Sequence, residues 1–171
     1  GNAVDAAVAA NAAMGVVAPM ANGIGGDLFA IVYEAKSGKL YGLNASGWAA
    51  AGASVEALKA KGFSAMPQSG IHSVTVPGCV AGWQKLLERF GRKRLGAVLA
   101  PAIQLAAEGF PVTEIFSDYW TASEKKLRGD TNATRVYLPG GRAPQPGEIF
   151  RNQELAWSLR QIARGGVRAF Y

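Results

Sequence analysis

With 171 residues, 49% of them apolar, the chain has the size of one domain and enough apolar side chain for a core, which excludes a disordered tail. Eighteen basic against twelve acidic residues give a net charge of +6, but the excess is scattered over helix ends and loops without a stripe interleaved with aromatics, so nucleic acid is not the expected partner. One cysteine, Cys79, excludes an internal disulfide framework, and with a single histidine, His72, too few soft ligands remain for a transition-metal centre.

The first residues, GNAVDAAVAA, carry no basic signal-peptide start, and no uncharged apolar run of about eighteen residues reads as a membrane span. They open on a ready helix start without an initiator Met, so an upstream segment, with any targeting information, is expected outside these residues. Helix one is predicted over Asn2 to Met14, with Asn2 as N-cap, Val4, Val8 and Ala12 on one face and Gly15 just past its end. Its alanines make it thin, and it is expected to lie buried beneath a sheet.

The stretch Asn22 to Trp48 follows, and it organises the rest. Gly23, Gly25 and Gly26 run into the β-formers Leu28 to Tyr33, Lys36-Ser37-Gly38 reverses the chain, and Leu40 to Leu43 returns as a second strand. The three glycines permit close approach by a ligand or by a neighbouring strand. They do not make a dinucleotide fingerprint: Leu28 stands where the third glycine would fall, and the glycines precede a strand instead of a helix. Nor is there the Gly-Lys-Ser/Thr of a P-loop.

Ser54 is placed to cap a short helix to Lys61, stopped by Gly62. Ile71 to Val76 alternates apolar and polar and predicts a strand, broken by Pro77-Gly78 before a helix over Cys79 to Phe90, with Val80, Trp83, Leu87 and Phe90 at helical spacing and Gly91 as its stop. A further helix spans Leu95 to Glu108, entered or kinked at Pro101, with Leu99, Ile103 and Ala106 inward. Thr113 caps another, whose buried stripe is expected to be Phe116, Tyr119, Trp120 and Leu127. Residues 128–151 read as an irregular, Pro- and Gly-rich excursion with at most one strand, Arg135 to Leu138. Asn152 caps the last helix, with Leu155, Leu159 and Ile162 inward and Gly165-Gly166 as its stop.

Candidate chemistry is sparse. Cys79 opens a helix, where the macrodipole would lower a thiol pKa, and His72 lies upstream as a possible base, but a small buried cysteine fits the same pattern. Asp27 and Asp5 each lack a second carboxylate at readable distance, so paired acid/base chemistry has no support. Asn44-Ala45-Ser46 and Asn132-Ala133-Thr134 match glycosylation acceptors, a pattern common by chance. Asn44, Ser46 and Trp48 leave the second strand through Gly47 and are the candidate substrate-binding residues, although on spacing alone turn chemistry with an anchoring indole is the simpler account.

Taken together, GNAVDAAVAA, NGIGGDLFAIVYEAKSG, SVTVPGCVAGWQKLLERFG, PAIQLAAEGFPVTE and PGEIFRNQELAWSLRQIARGGVRAFY resemble, in collinear order, the γ-glutamyltranspeptidase family of N-terminal-nucleophile (Ntn) hydrolases. The resemblance implies an α+β fold, the stacked αββα sandwich, of which this chain supplies the large-subunit part: a β-hairpin plus several helices. It implies that residues 1–171 are part of a single transpeptidase-like domain, truncated at both ends and lacking the smaller catalytic subunit. It implies a proenzyme that cuts itself before a threonine, whose amine and hydroxyl then serve as base and nucleophile. It also implies transfer or hydrolysis of γ-glutamyl or related amide-linked acyl groups, no metal or organic cofactor, and the processed small subunit as partner. No catalytic residue is expected here, because no Thr-Thr-His segment is present.

One departure bears on substrate. Typical transpeptidases carry an arginine just after the second strand, in a Phe-Arg-Glu-Met-Ala-Pro-Ala context, that holds the α-carboxylate of the glutamyl group. Here the region reads Leu43-Asn44-Ala45-Ser46-Gly47-Trp48, with Ser46 or Trp48 where the arginine would fall, depending on the gap. A neutral side chain does not replace bidentate guanidinium recognition, so the resemblance points towards a divergent acylase or amidohydrolase.

Overall fold

The computed structural model describes residues 1–171. Its elements are α1 (Ala3–Val17), β1 (Leu28–Glu34), β2 (Lys39–Ala45), α2 (Val55–Ala60), α3 (Cys79–Phe90), α4 (Leu95–Glu108), β3 (Phe110–Pro111), α5 (Glu114–Leu127), α6 (Thr131–Tyr137), β4 (Ile149–Phe150) and α7 (Gln153–Gly165). The class is α+β, with two antiparallel pairs, β1–β2 and β3–β4. No helix is long and apolar enough to cross a membrane.

The body is helical. α4 lies between α1 and α7, and the three meet through Val8, Ala12, Leu99, Ala102, Leu159 and Ile162, all essentially without exposed surface. Small residues set the spacing. A Cβ on Gly96 would lie 2.7 Å from the Ala163 carbonyl, so α4 and α7 touch backbone to backbone there. α4 carries Pro101 in its interior, a position that gives up one helical hydrogen bond. Beside this body, Trp120, Tyr137 and Phe150 form an aromatic cluster, with the Trp120 indole N–H donating to the Tyr137 carbonyl at 2.7 Å.

The hairpin sits on α3. Its register pairs Leu28 with Ala45, Ala30 with Leu43 and Val32 with Tyr41 on the inner face, and Phe29 with Asn44, Ile31 with Gly42 and Tyr33 with Leu40 on the outer. Leu28 is buried against α3, and Ala30, Val32, Leu43 and Ala45 pack beside it, whereas the outer apolar side chains face outward with nothing on them. Alternation of this kind belongs to a strand pair covered on one side.

Caps and stops fall where local chemistry puts them. The Asn2 side chain accepts from Asp5 N–H while Asp5 accepts from Asn2 N–H, a reciprocal capping box. The Asp5 carboxylate is also buried, and its Oδ1 takes the N–H groups of Arg92 and Lys93 at 2.9 and 3.0 Å, joining the start of α1 to the α3–α4 turn. Burial alone would push this carboxyl up; the N–H groups of Arg92, Lys93 and Asn2 outweigh it and hold it below its ordinary value.

Five expectations need correction. Helix one passes through Gly15 to Val17, with Gly15 packed against Gly23, and α1 packs on α3 and α4 instead of beneath the sheet. Ile71 to Val76 is no strand: Ile71–Ser73 forms a 3₁₀ turn, and the extended remainder makes one backbone bond to another segment, Val76 N–H to Trp48 carbonyl at 2.8 Å. Arg135 to Leu138 is the end of α6, a helix whose N-terminus the Asp130 side chain caps through Ala133 N–H. Tyr119 lies outside the stripe of α5, where Ser117 is buried with its hydroxyl on the Pro144 carbonyl at 2.8 Å.

Candidate functional site

Asn44, Ser46 and Trp48 come together. They line one groove of about 680 Å³, closed on its far side by Pro77, Gly78 and Tyr171. Asn44 Oδ1 accepts the Ser46 N–H at 3.0 Å, an Asx turn that ends β2. Gly47 then takes a φ of +82°, and the Trp48 carbonyl is held by the Val76 N–H, so the indole projects from an anchored backbone and is 84% exposed. The turn chemistry is real and the indole is not its anchor. An indole serving as an anchor would be buried.

Backbone contacts fix the groove. A Cβ on Gly47 would lie 1.8 Å from the Val76 carbonyl oxygen, and one on Gly78 would lie 2.1 Å from the Ala45 carbonyl oxygen. One turn along α3, a Cβ on Gly82 would reach Leu28 Cδ2 at 2.6 Å and the Ala45 methyl at 2.9 Å. The exit of β2 thus crosses the entrance of α3 with no side chain between them. Glycine is required at these positions by contact, and at Gly47 by backbone angle as well. The end of the glycine-rich loop joins the same crossing, since the Gly26 carbonyl accepts the N–H groups of Gly78 and Cys79 at 3.1 and 3.0 Å.

The loop itself is different. Gly23, Gly25 and Gly26 have ordinary negative φ, and a Cβ at any of them would meet nothing within 4 Å. They line an open concavity of about 440 Å³ with Asn22, Asp27 and Tyr137. Asn22 ties the loop to α1 by donating to the Asn11 carbonyl at 2.9 Å. Asp27 accepts from the Thr75 hydroxyl at 3.2 Å, and that hydroxyl also lies 3.2 Å from the Ser46 carbonyl, so the loop and the groove share a polar link.

Cys79 is not a nucleophile here. It is fully buried, burial and then the nearby Asp27 charge push its thiol up to about 12, and its Sγ faces Asn11 Oδ1 at 3.9 Å. Asn11 is otherwise occupied by the Trp83 indole N–H at 2.8 Å. His72 packs edge-on against Phe63 at 5.4 Å between ring centroids. No three His, Cys, Asp or Glu side chains are grouped to hold a metal ion.

Two residues escape a sequence-only search. Tyr171 reaches the groove from the far end of the sequence and hydrogen-bonds Pro77 and Ala81. Thr75 belongs to the segment expected as a strand. For Tyr171 no local signal exists. For Thr75 the polar positions of an alternating run next to Pro-Gly offered only a hint.

The chain's likenesses converge. The family model described as Gamma-glutamyltranspeptidase matches residues 1–171. The glutathione hydrolase-like YwrD proenzyme of Bacillus subtilis (strain 168) is 41% identical over 174 residues, an alignment that takes in 100% of this chain and 32% of the relative. The cephalosporin acylase of Bacillus halodurans superposes with a TM-score of 0.93 at 42% identity, over 99% of this chain and 33% of that one. The γ-glutamyltranspeptidase of Helicobacter pylori also reaches 0.93, at 30% identity, over 99% of this chain and 50% of that one. The chain therefore spans about a third of the length of the curated relatives it matches. It shares their Ntn-hydrolase fold, to which it brings the hairpin and its helices, and it belongs to the gamma-glutamyltranspeptidase family.

Proposed function

We propose that these residues are the large-subunit part of a single-domain, self-cleaving Ntn hydrolase or acyltransferase that acts on amide-linked acyl groups through an N-terminal threonine lying outside residues 1–171. The processed small subunit is its partner, and it covers the apolar outer face of the hairpin. Support comes from family membership, from a similar protein named a proenzyme, and from that uncovered face. Asn44, Ser46 and Trp48 contact the acyl part of the substrate.

The observation that carries the choice of substrate is the neutral groove after β2. Asn44, Ser46 and Trp48 offer no guanidinium, and Lys85, the only charged side chain in the lining, lies 3.4 Å from the Glu88 carboxylate. A γ-glutamyl group brings an α-carboxylate that needs a paired cation when desolvated. An acylase or amidohydrolase with a different acyl group fits better, in line with the likeness to a cephalosporin acylase. The rival, a γ-glutamyl transferase proper, draws on the name of the Helicobacter pylori relative.

The test is to express the full-length gene, compare it on a denaturing gel with a variant lacking the candidate threonine, and assay the processed protein with γ-glutamyl-p-nitroanilide. Two bands, lost in the variant, without turnover of that substrate are expected. Transfer from it to glycylglycine would establish the transferase instead, and a single uncut band would sink the enzymatic reading.

A further inference from the structure

An α-helix starts with four N–H groups that have no partner inside it. In α3 the N-cap is Gly78, which has no side chain to accept from any of them. Three are satisfied from far away in sequence. The Gly78 and Cys79 N–H groups donate to the Gly26 carbonyl, and the Ala81 N–H donates to the Tyr171 hydroxyl at 3.3 Å. The same hydroxyl donates to the Pro77 carbonyl at 2.5 Å. Tyr171 therefore bridges the two sides of Gly78, the residue that lets the Ala45 carbonyl through. From Pro77 the connection continues to Val76, whose N–H holds Trp48.

The ring matters as much as the hydroxyl. It is 56% exposed, borders the same groove as Trp48, and is steadied by Phe170 in a T-shaped contact at 5.0 Å. Behind it the turn Gly166–Ala169 is tied to α3 by the Val167 N–H on Gln84 Oε1 at 3.4 Å. Two aromatic surfaces and two small neutral polar side chains suit an uncharged, aryl-bearing acyl group, and the one cation of the lining, Lys85, is paired with Glu88.

The geometry points to Tyr171 as a positioning residue for this groove: its ring forms a second aromatic wall, and its hydroxyl fixes the Pro77–Ala81 crossing that carries Trp48, for a neutral aryl-bearing acyl group. This rests on the assignment of the groove as the acyl site. In the full-length protein, Tyr171→Phe keeps the ring and removes both hydrogen bonds, and Trp48→Ala removes the other wall without touching a buried contact. Phenylacetyl-p-nitroanilide and γ-glutamyl-p-nitroanilide serve as the neutral and charged probes.

The wild type is expected to be processed into two chains and to prefer the phenylacetyl probe. Both variants are expected to process normally and to raise KM for that probe about tenfold while kcat stays within about twofold. Amide exchange at Ala81 should quicken in Tyr171→Phe alone. Faster exchange with an unchanged KM would reduce Tyr171 to a structural cap and overturn the proposal, leaving amide hydrolysis intact. A wild-type KM in Trp48→Ala, or a wild type that prefers the γ-glutamyl probe, would overturn the neutral acyl site. A wild type that is uncut, or inactive on both probes, would fail the parent function and take the proposal down with it.

Discussion

In the helical body Val8, Leu99, Leu159 and Ile162 are at most 1% exposed, whereas on the outer face of the hairpin Phe29, Ile31, Tyr33 and Leu40 are 63% to 78% exposed. Both regions are built from apolar side chains in the correct period. They differ in cover: the body's side chains face one another, whereas nothing within residues 1–171 lies on the outer face of the hairpin. Burial of each large apolar side chain stabilises by roughly 1.5–3 kcal/mol, so the body has already realised that gain and the hairpin still holds it in reserve. The helices of the body cover one another, while the hairpin that borders the groove leaves its outer face uncovered within residues 1–171.

The comparison can be broken most forcefully in the body. Leu159→Ala, at a side chain with no exposed surface between α4 and α7, is expected to cost about 3–5 kcal/mol in chemical denaturation. A loss as small as that of an exposed site would mean the body is not the self-sufficient half. Next comes the crossing beneath the groove. Gly47→Ala forces a Cβ into the Val76 carbonyl at a φ of +82° and is expected to cost about 3 kcal/mol, with a rise in KM out of proportion to the fall in Tm.

A smaller effect, present at neutral pH and fading in acid, is expected of Asp5→Asn. The folded pKa of Asp5 is depressed, so its contribution is fully present above the ordinary value of 3.8 and is lost as pH falls below that towards the folded value. Wild-type Tm should therefore drop more than the Asp5→Asn Tm between about pH 5 and about pH 3; parallel curves would contradict the assignment. Smallest of all is Gly25→Ala, whose Cβ would meet nothing and whose φ needs no glycine, expected to shift stability by under about 0.5 kcal/mol. If the same substitution blocks processing or catalysis, the loop is approached from outside residues 1–171, which sharpens the contrast between the halves.

What could be read from the sequence follows the range of the interactions. The caps at Asn2, Thr113 and Asn152 were legible because each side chain accepts an N–H three residues on. So were the stop at Gly91 and the inner stripe of α3. Ile71 to Val76 has the alternation of a strand but no neighbour to ladder with, because Gly47 turns the adjacent segment away after one bond. Gly15 looked like a stop and proved to be a contact with Gly23, a relation across the fold that no local pattern encodes. At the site, Asn44, Ser46 and Trp48 stood out by type and place, whereas Tyr171 acts ninety residues from its partner Ala81.

The glycine crossing beneath the groove has a consequence for how such a site can change over generations. The frame is held by Gly47, Gly78 and Gly82, by the carbonyls of Ala45 and Val76 and by the Asn44 turn, so its geometry depends hardly at all on which side chains occupy positions 46 and 48. A guanidinium can be exchanged there for an indole or a hydroxyl without moving the main chain. Substrate preference in such a scaffold is free to drift while the scaffold itself stays still.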